Sequence, residues 1–228
     1  TRPSPQLLAP NERRRAPETV AVALHVALAA CAAAGRDPAL LPSVFTSTHG
    51  DLAITDYMCA TLVDAPRTIS PTKFHNSVHN AAAGYWTIGA GAQTPATAIS
   101  AHDASFAQGL LEAMVQIATG SEAVLLVAYD GTGTGPLGRT SPSSGLLGGA
   151  LLLVRDPVPG ATRLSLRLGN TDSVVESDPV AAGPLAQLAA GNAMTPMLPV
   201  FEALALRVAN VSLAAGAGRV IHLVFDDG

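Results

Sequence analysis

Apolar positions along the chain follow two periods. Between residues 104 and 119, Phe106, Leu110, Ala113, Met114 and Ile117 recur at spacings that put them on one helical face. Gly120 follows as a helix stop. Residues 123–129 are then apolar without alternation, which predicts a strand buried on both faces. Upstream, residues 17–34 predict a helix ending at Gly35, and 41–47 a short strand followed by a loop at Thr48, His49 and Gly50. A helix over 54–62, a turn or extended segment over 66–71, a helix within 76–89 and a short buried strand over 96–100 come next. Residues 131–149 are rich in Gly, Ser and Pro and predict a loop. Two strands at 151–155 and 163–168, joined by a Pro-Gly turn, lead to a helix over 195–208 and a last strand over 219–225. This alternation gives an α/β fold, a mixed sheet packed with helices. No linker-like stretch divides the 228 residues, so a single domain over 1–228 is expected.

Composition sharpens this picture. Hydrophobic residues make up 48% of the chain and charged residues only 13%, against about 25% in ordinary soluble domains. An Ala-rich composition accounts for part of this; a large surface covered in an oligomer accounts for more. A formal net charge of -4 argues against nucleic-acid binding. Cys31 and Cys59 lie in apolar stretches without CxxC spacing and read as buried free thiols of a reducing, cytoplasmic compartment. Arg13, Arg14 and Arg15 before the apolar run 20–34 imitate a targeting signal. Pro17 and Glu18, however, suit the first turn of a helix, and the run is too short to span a bilayer, so a buried helix is expected. The chain starts at Thr1 without Met, which leaves a preceding segment open.

Three segments are candidates for chemistry. Gly133-Thr-Gly-Pro-Leu-Gly138 is a literal G-x-G-x-x-G, but Pro136 and the run after Arg139 do not open the helix that a dinucleotide loop needs. His75 and His79 have i, i+4 spacing without the acidic residue of a zinc-hydrolase motif, so no metal site is assigned. Residues 98–106 turn sharply from strand to amphipathic helix, with His102 and Asp103 at the turn. Such a turn suits a nucleophile. An Asp there equally suits helix capping.

The stretch from Ile99 to Asp130 resembles the active-site strand, nucleophile elbow, helix and following strand of β-ketoacyl synthases, members of the thiolase-like superfamily. Three earlier stretches agree in order and spacing: Leu8-Ala-Pro-Asn-Glu-Arg-Arg-Arg, Phe45-Thr-Ser-Thr-His-Gly-Asp and the Ser-Pro…Asn…Ala-Gly segment between Ile69 and Tyr85. The resemblance covers roughly residues 7–155 and implies a thiolase-like half-fold. Counting back from Gly120-Ser-Glu, it places Asp103 where the family has its catalytic Cys. A carboxylate cannot stand in for that Cys, because its acyl product would be a high-energy anhydride. Gly131-Thr-Gly-Thr is similar to the family's His-Gly-Thr-Gly-Thr motif, yet Asp130 replaces the His and the segment follows the elbow too closely for a role to be carried over. Residues 198–205 resemble the tail of truncated ketosynthase-like proteins of aryl-polyene and xanthomonadin-type pigment clusters.

The resemblance therefore implies a non-condensing, chain-length-factor-like subunit with no catalytic residue of its own and no cofactor. Its expected partner is a full-length ketosynthase, or a second copy of itself, with an acyl carrier protein as a further candidate. Asp103, beside His102, is expected to cap the elbow helix. Phe74, Tyr85, Trp86, Thr97, Ile99 and Phe106 are candidates for interface or tunnel contacts, with ordinary core packing the competing role for the aromatics. Two alternatives remain: thioester decarboxylation or hydrolysis by His102 and Asp103, and a homodimeric scaffold that binds acyl carrier protein.

Overall fold

The computed structural model describes residues 3–171 and 184–227. In chain order its elements are α1 (Pro10–Arg15), α2 (Glu18–Ala33), β1 (Ser43–Thr46), α3 (Leu52–Asp64), α4 (Pro71–Asn76), α5 (Ala81–Ala90), β2 (Ala96–Ile99), α6 (Ser105–Ala118), β3 (Ala123–Asp130), α7 (Gly135–Thr140), β4 (Leu147–Val154), β5 (Thr162–Asn170), α8 (Pro184–Leu188), α9 (Leu198–Leu206), β6 (Asn210–Gly216) and β7 (Arg219–Asp227). The main sheet has the order β2-β1-β3-β4. β1 runs parallel to β2 and β3, while β4 is antiparallel to β3. A second, antiparallel sheet has the order β5-β7-β6. The α/β architecture, a mixed sheet packed with helices, is the one the sequence pattern implies.

The uninterrupted apolar run of β3 is buried along its whole length because it feeds two cores. Val124, Leu126 and Ala128 face a cluster shared with Phe106, Leu110 and Ala113 of α6, Val200 and Ala203 of α9, and Val211, Leu213 and Ile221 of the second sheet. Leu125, Val127 and Tyr129 face the other cluster with Leu24 and Ala27 of α2, Phe45 and Trp86. The Ala-rich run 20–34 is thus a helix under the main sheet, buried over Val20–Leu24 and at Ala27 and Cys31 and exposed at His25, Ala29 and its C-terminal end. Gly109 lets α6 lie close on β1: a Cβ there would sit 2.9 Å from Thr46 Cβ.

Several expectations need correction. The strand at β2 is not buried: it is an edge strand, with Ala96 exposed and Thr97, Ala98 and Ile99 half-covered. The Pro-Gly turn joins two strands as expected, but they do not pair with each other. β4 pairs with β3 and β5 with β7, so the turn carries the chain from one sheet to the other. The segment 131–149 contains the short helix α7, because Pro136 sits in its first turn, where no N–H is needed. The helix expected within 76–89 is α5, which starts only at Ala81, and the short helix α4 falls between it and the turn expected over 66–71. β6 went unforeseen.

Candidate functional site

The turn from β2 into α6 is built as an elbow. His102 takes the left-handed conformation at φ 51, and a single 3-10 turn, His102–Ala104, precedes α6. Hydroxyls brace it from both sides. Ser105 Oγ accepts from Ala101 N (2.9 Å) and donates to His102 O (2.6 Å). Thr46 Oγ1 donates to Ser105 O (2.7 Å) and Ser100 Oγ to Thr48 O (2.9 Å). From the second sheet, Ala215 O accepts from Gln108 Nε2 at 2.6 Å.

At the apex, Asp103 is 84% exposed and its Oδ1 lies 3.1 Å from His102 Nδ1, itself 67% exposed. The expected capping by Asp103 does not occur: α6 has Ala104 at its N-cap and no side-chain cap. The intervening 3-10 turn displaces Asp103 from the helix axis and turns its carboxylate to solvent. Water screens this pair, and no apolar pocket surrounds it to drive proton transfer.

The other candidates separate into two groups. Trp86 and Phe106 are core residues with no surface left for a partner to cover; Phe45 packs on Trp86 at 6.2 Å and Phe201 on Phe106 at 6.4 Å. Phe74 is 62% exposed; Tyr85, Thr97 and Ile99 are half-buried. His75 and His79 do not share a ligand. His75 meets the Tyr85 ring edge-on, and His79 Nε2 donates to Ser47 O (2.8 Å). Among the described residues, no group of three His, Cys, Asp or Glu side chains could hold a metal ion. No described helix is long and apolar enough to cross a membrane.

A second polar centre lies one strand away. Asp130, at the end of β3, is fully buried, and its carboxylate accepts from Ser47 Oγ (2.6 Å), Thr48 N (2.8 Å) and His49 N (3.1 Å). His49 turns Nδ1 toward Asp130 Oδ1 at 3.9 Å and holds Nε2 2.8 Å from Ser141 Oγ. Burial first, then the charges of Asp130 and Asp51, push the Tyr129 phenol far above its ordinary value. Beside this centre opens a cavity of about 810 Å³ between the first turns of α2 and α3, with His49, Asp51, Lys73, Asn76 and Thr134 in its wall. Asp130 and His49 each lie in a stretch that carries the family resemblance, but nothing in the sequence shows that they meet, since they come from distant segments.

The comparisons with known proteins agree with one another. The family model for the β-ketoacyl synthase N-terminal domain matches residues 1–136. A solved complex of the ketosynthase ApeO with its chain length factor ApeC from Xenorhabdus doucetiae contains a chain with TM-score 0.72 and 23% identity, covering 95% of this chain and 81% of that one. The ishigamide ketosynthase/chain length factor gives TM-score 0.67 and 18% identity over 98% of this chain and 84% of that one. A 3-oxoacyl-[acyl-carrier-protein] synthase III from Aquifex aeolicus gives TM-score 0.50 and 12% identity over 91% and 84%. No curated protein matches the sequence.

Proposed function

Because the chain belongs to the family of the β-ketoacyl synthase N-terminal domain, we propose that it is a non-condensing, chain-length-factor-like subunit of a full-length ketosynthase in fatty-acid or polyketide-type biosynthesis of the aryl-polyene kind. The observation that carries this reading is the elbow. The strand, the left-handed turn and the helix are all present, yet the apex carries the exposed carboxylate of Asp103 in place of a thiol. A scaffold that keeps the shape and lacks the nucleophile is what a partner of the condensing enzyme requires. The likeness to ketosynthase/chain-length-factor complexes supports the same reading.

The whole chain acts as one ketoacyl synthase N-terminal-like unit, a view supported by the apolar cluster that both sheets share. Phe74, Tyr85, Thr97 and Ile99 contribute to the partner contact, and the partner's carrier protein brings the acyl chain. The free thiols Cys31 and Cys59 suit a cytoplasmic setting.

Co-purification of the tagged chain from its native host tests the proposal. Recovery of a Cys-containing ketosynthase in equal amount is expected. Recovery of the chain alone, as a stable homo-oligomer, would overturn it.

A further inference from the structure

We propose that Ser141, His49 and Asp130 form a second nucleophilic site, apart from the elbow, in which Ser141 is acylated by thioesters. Three distant segments bring these side chains together: the loop after β1, the end of β3 and the C-terminal end of α7.

The polarity of the arrangement follows from the buried carboxylate. His49 Nδ1 is buried without a hydrogen-bond partner and lies 3.9 Å from Asp130 Oδ1, whose charge favours the tautomer with the ring proton on Nδ1. Nε2 is then the acceptor, and the Ser141 hydroxyl donates to it at 2.8 Å. This is the state in which an imidazole removes a proton from a serine. Asp130 is itself fixed by three donors, so it acts on the ring through its charge rather than by accepting its proton. His49 is buried, with 9% of its side chain exposed, whereas Ser141 keeps partial access to solvent.

The chemistry balances with water alone. Ser141 Oγ adds to the thioester carbonyl as its proton passes to His49. The C–S bond breaks, and the leaving thiolate takes that proton. Water then adds to the acyl-serine ester with His49 as base, releasing a carboxylic acid and restoring Ser141. The backbone N–H of Ser141 is held by Leu137 O, so it cannot stabilise an oxyanion. Loss of such a donor typically slows a step about 100- to 1000-fold and bears on acylation and release alike, so both are expected to be slow. The choice of a thioester as acyl donor rests on the proposed function; the nucleophile does not.

The test treats the purified chain with a fluorophosphonate probe and maps the adduct by mass spectrometry. One adduct at Ser141 is expected, lost in Ser141→Ala and slowed about 100-fold or more in His49→Gln. No adduct at Ser141, or an unchanged rate in His49→Gln, overturns the site. As a check that does not rely on that variant's folding, the Ser141→Cys thiol, in a Cys59→Ser background, should be alkylated by iodoacetamide at pH 7 about tenfold faster than Cys59 in the parent chain. An equal or slower rate overturns the site as well. Release of thiol from an acyl-N-acetylcysteamine thioester, dependent on Ser141, supports the substrate class; labelling without any thioester cleavage overturns that class alone. Neither readout depends on a ketosynthase partner, so failure here and failure of co-purification remain distinct.

Discussion

At the residue scale, the buried carboxylate of Asp130 has the clearest energetic consequence. It satisfies two backbone N–H groups and one hydroxyl where no water reaches. Asp130→Ala leaves all three donors unpaired, which should cost about 3–5 kcal/mol, measured as a lowered urea midpoint. Asp103→Asn, at an exposed apex, should change stability by less than about 0.5 kcal/mol in the same assay. The sequence exposed Asp103 and concealed Asp130. A turn position can be found by counting along one helix, whereas the partners of Asp130 lie about eighty residues upstream and meet it only through sheet topology.

The two cysteines make a second contrast. Cys31 is buried in α2, where burial first and then Asp37 push its thiol up to about 11, while Cys59 is exposed. In the folded chain a disulfide-exchange reagent should modify one thiol at pH 8, and two after denaturation. The folded pKa of Cys31 lies above the ordinary value, so between pH 9 and about pH 11 the unfolded chain binds fewer protons than the folded one. Stability therefore falls as pH rises through that window, and Tyr129 adds to the fall from pH 10 upward. Cys31→Ala should flatten the decline in urea stability between pH 9 and 10.5.

At the element scale, close approach decides which small residues are fixed. α6 rests so near β1 that Gly109→Ala forces a Cβ against Thr46, with cost about 1–3 kcal/mol. Gly84 lies in α5 with open space at its Cβ and ordinary helical geometry, so Gly84→Ala should stabilise by about 0.5–1 kcal/mol. Thermal melts of the two variants should shift in opposite directions. α6, with its helical period, and β3, with its unbroken apolar run, were legible from the apolar pattern alone. Those that failed did so for stated reasons. β2 has a buried strand's composition but an edge strand's place, because nothing in four residues specifies neighbours. β4 and β5 were legible as two strands about a Pro-Gly turn, but not their pairing, which lies elsewhere: β4 with β3, and β5 with the terminal strand β7.

At the scale of the whole molecule, the low charge content and the surface describe one fact. With 13% charged residues, the chain leaves Leu40, Val63, Phe74 and Ile88 more than 60% exposed, and β2 ends the main sheet with an unpaired edge. Apolar side chains scattered singly on a surface need no explanation. An open strand edge beside an exposed apolar side chain such as Ile88 is an invitation to pair with another chain. Ile88, on α5 next to β2, is 76% exposed and takes no part in either core cluster, so a charge there should leave the fold intact. If this edge is where the ketosynthase docks, Ile88→Glu buries an unpaired carboxylate in the interface. That should weaken association at least tenfold without moving the thermal midpoint of the isolated chain. Titration of the variant against the co-purified ketosynthase measures the first effect, and calorimetry of the chain alone the second. Unchanged affinity would move the contact away from β2 and α5, toward the exposed face of α3 and α4 that carries Leu62, Val63 and Phe74.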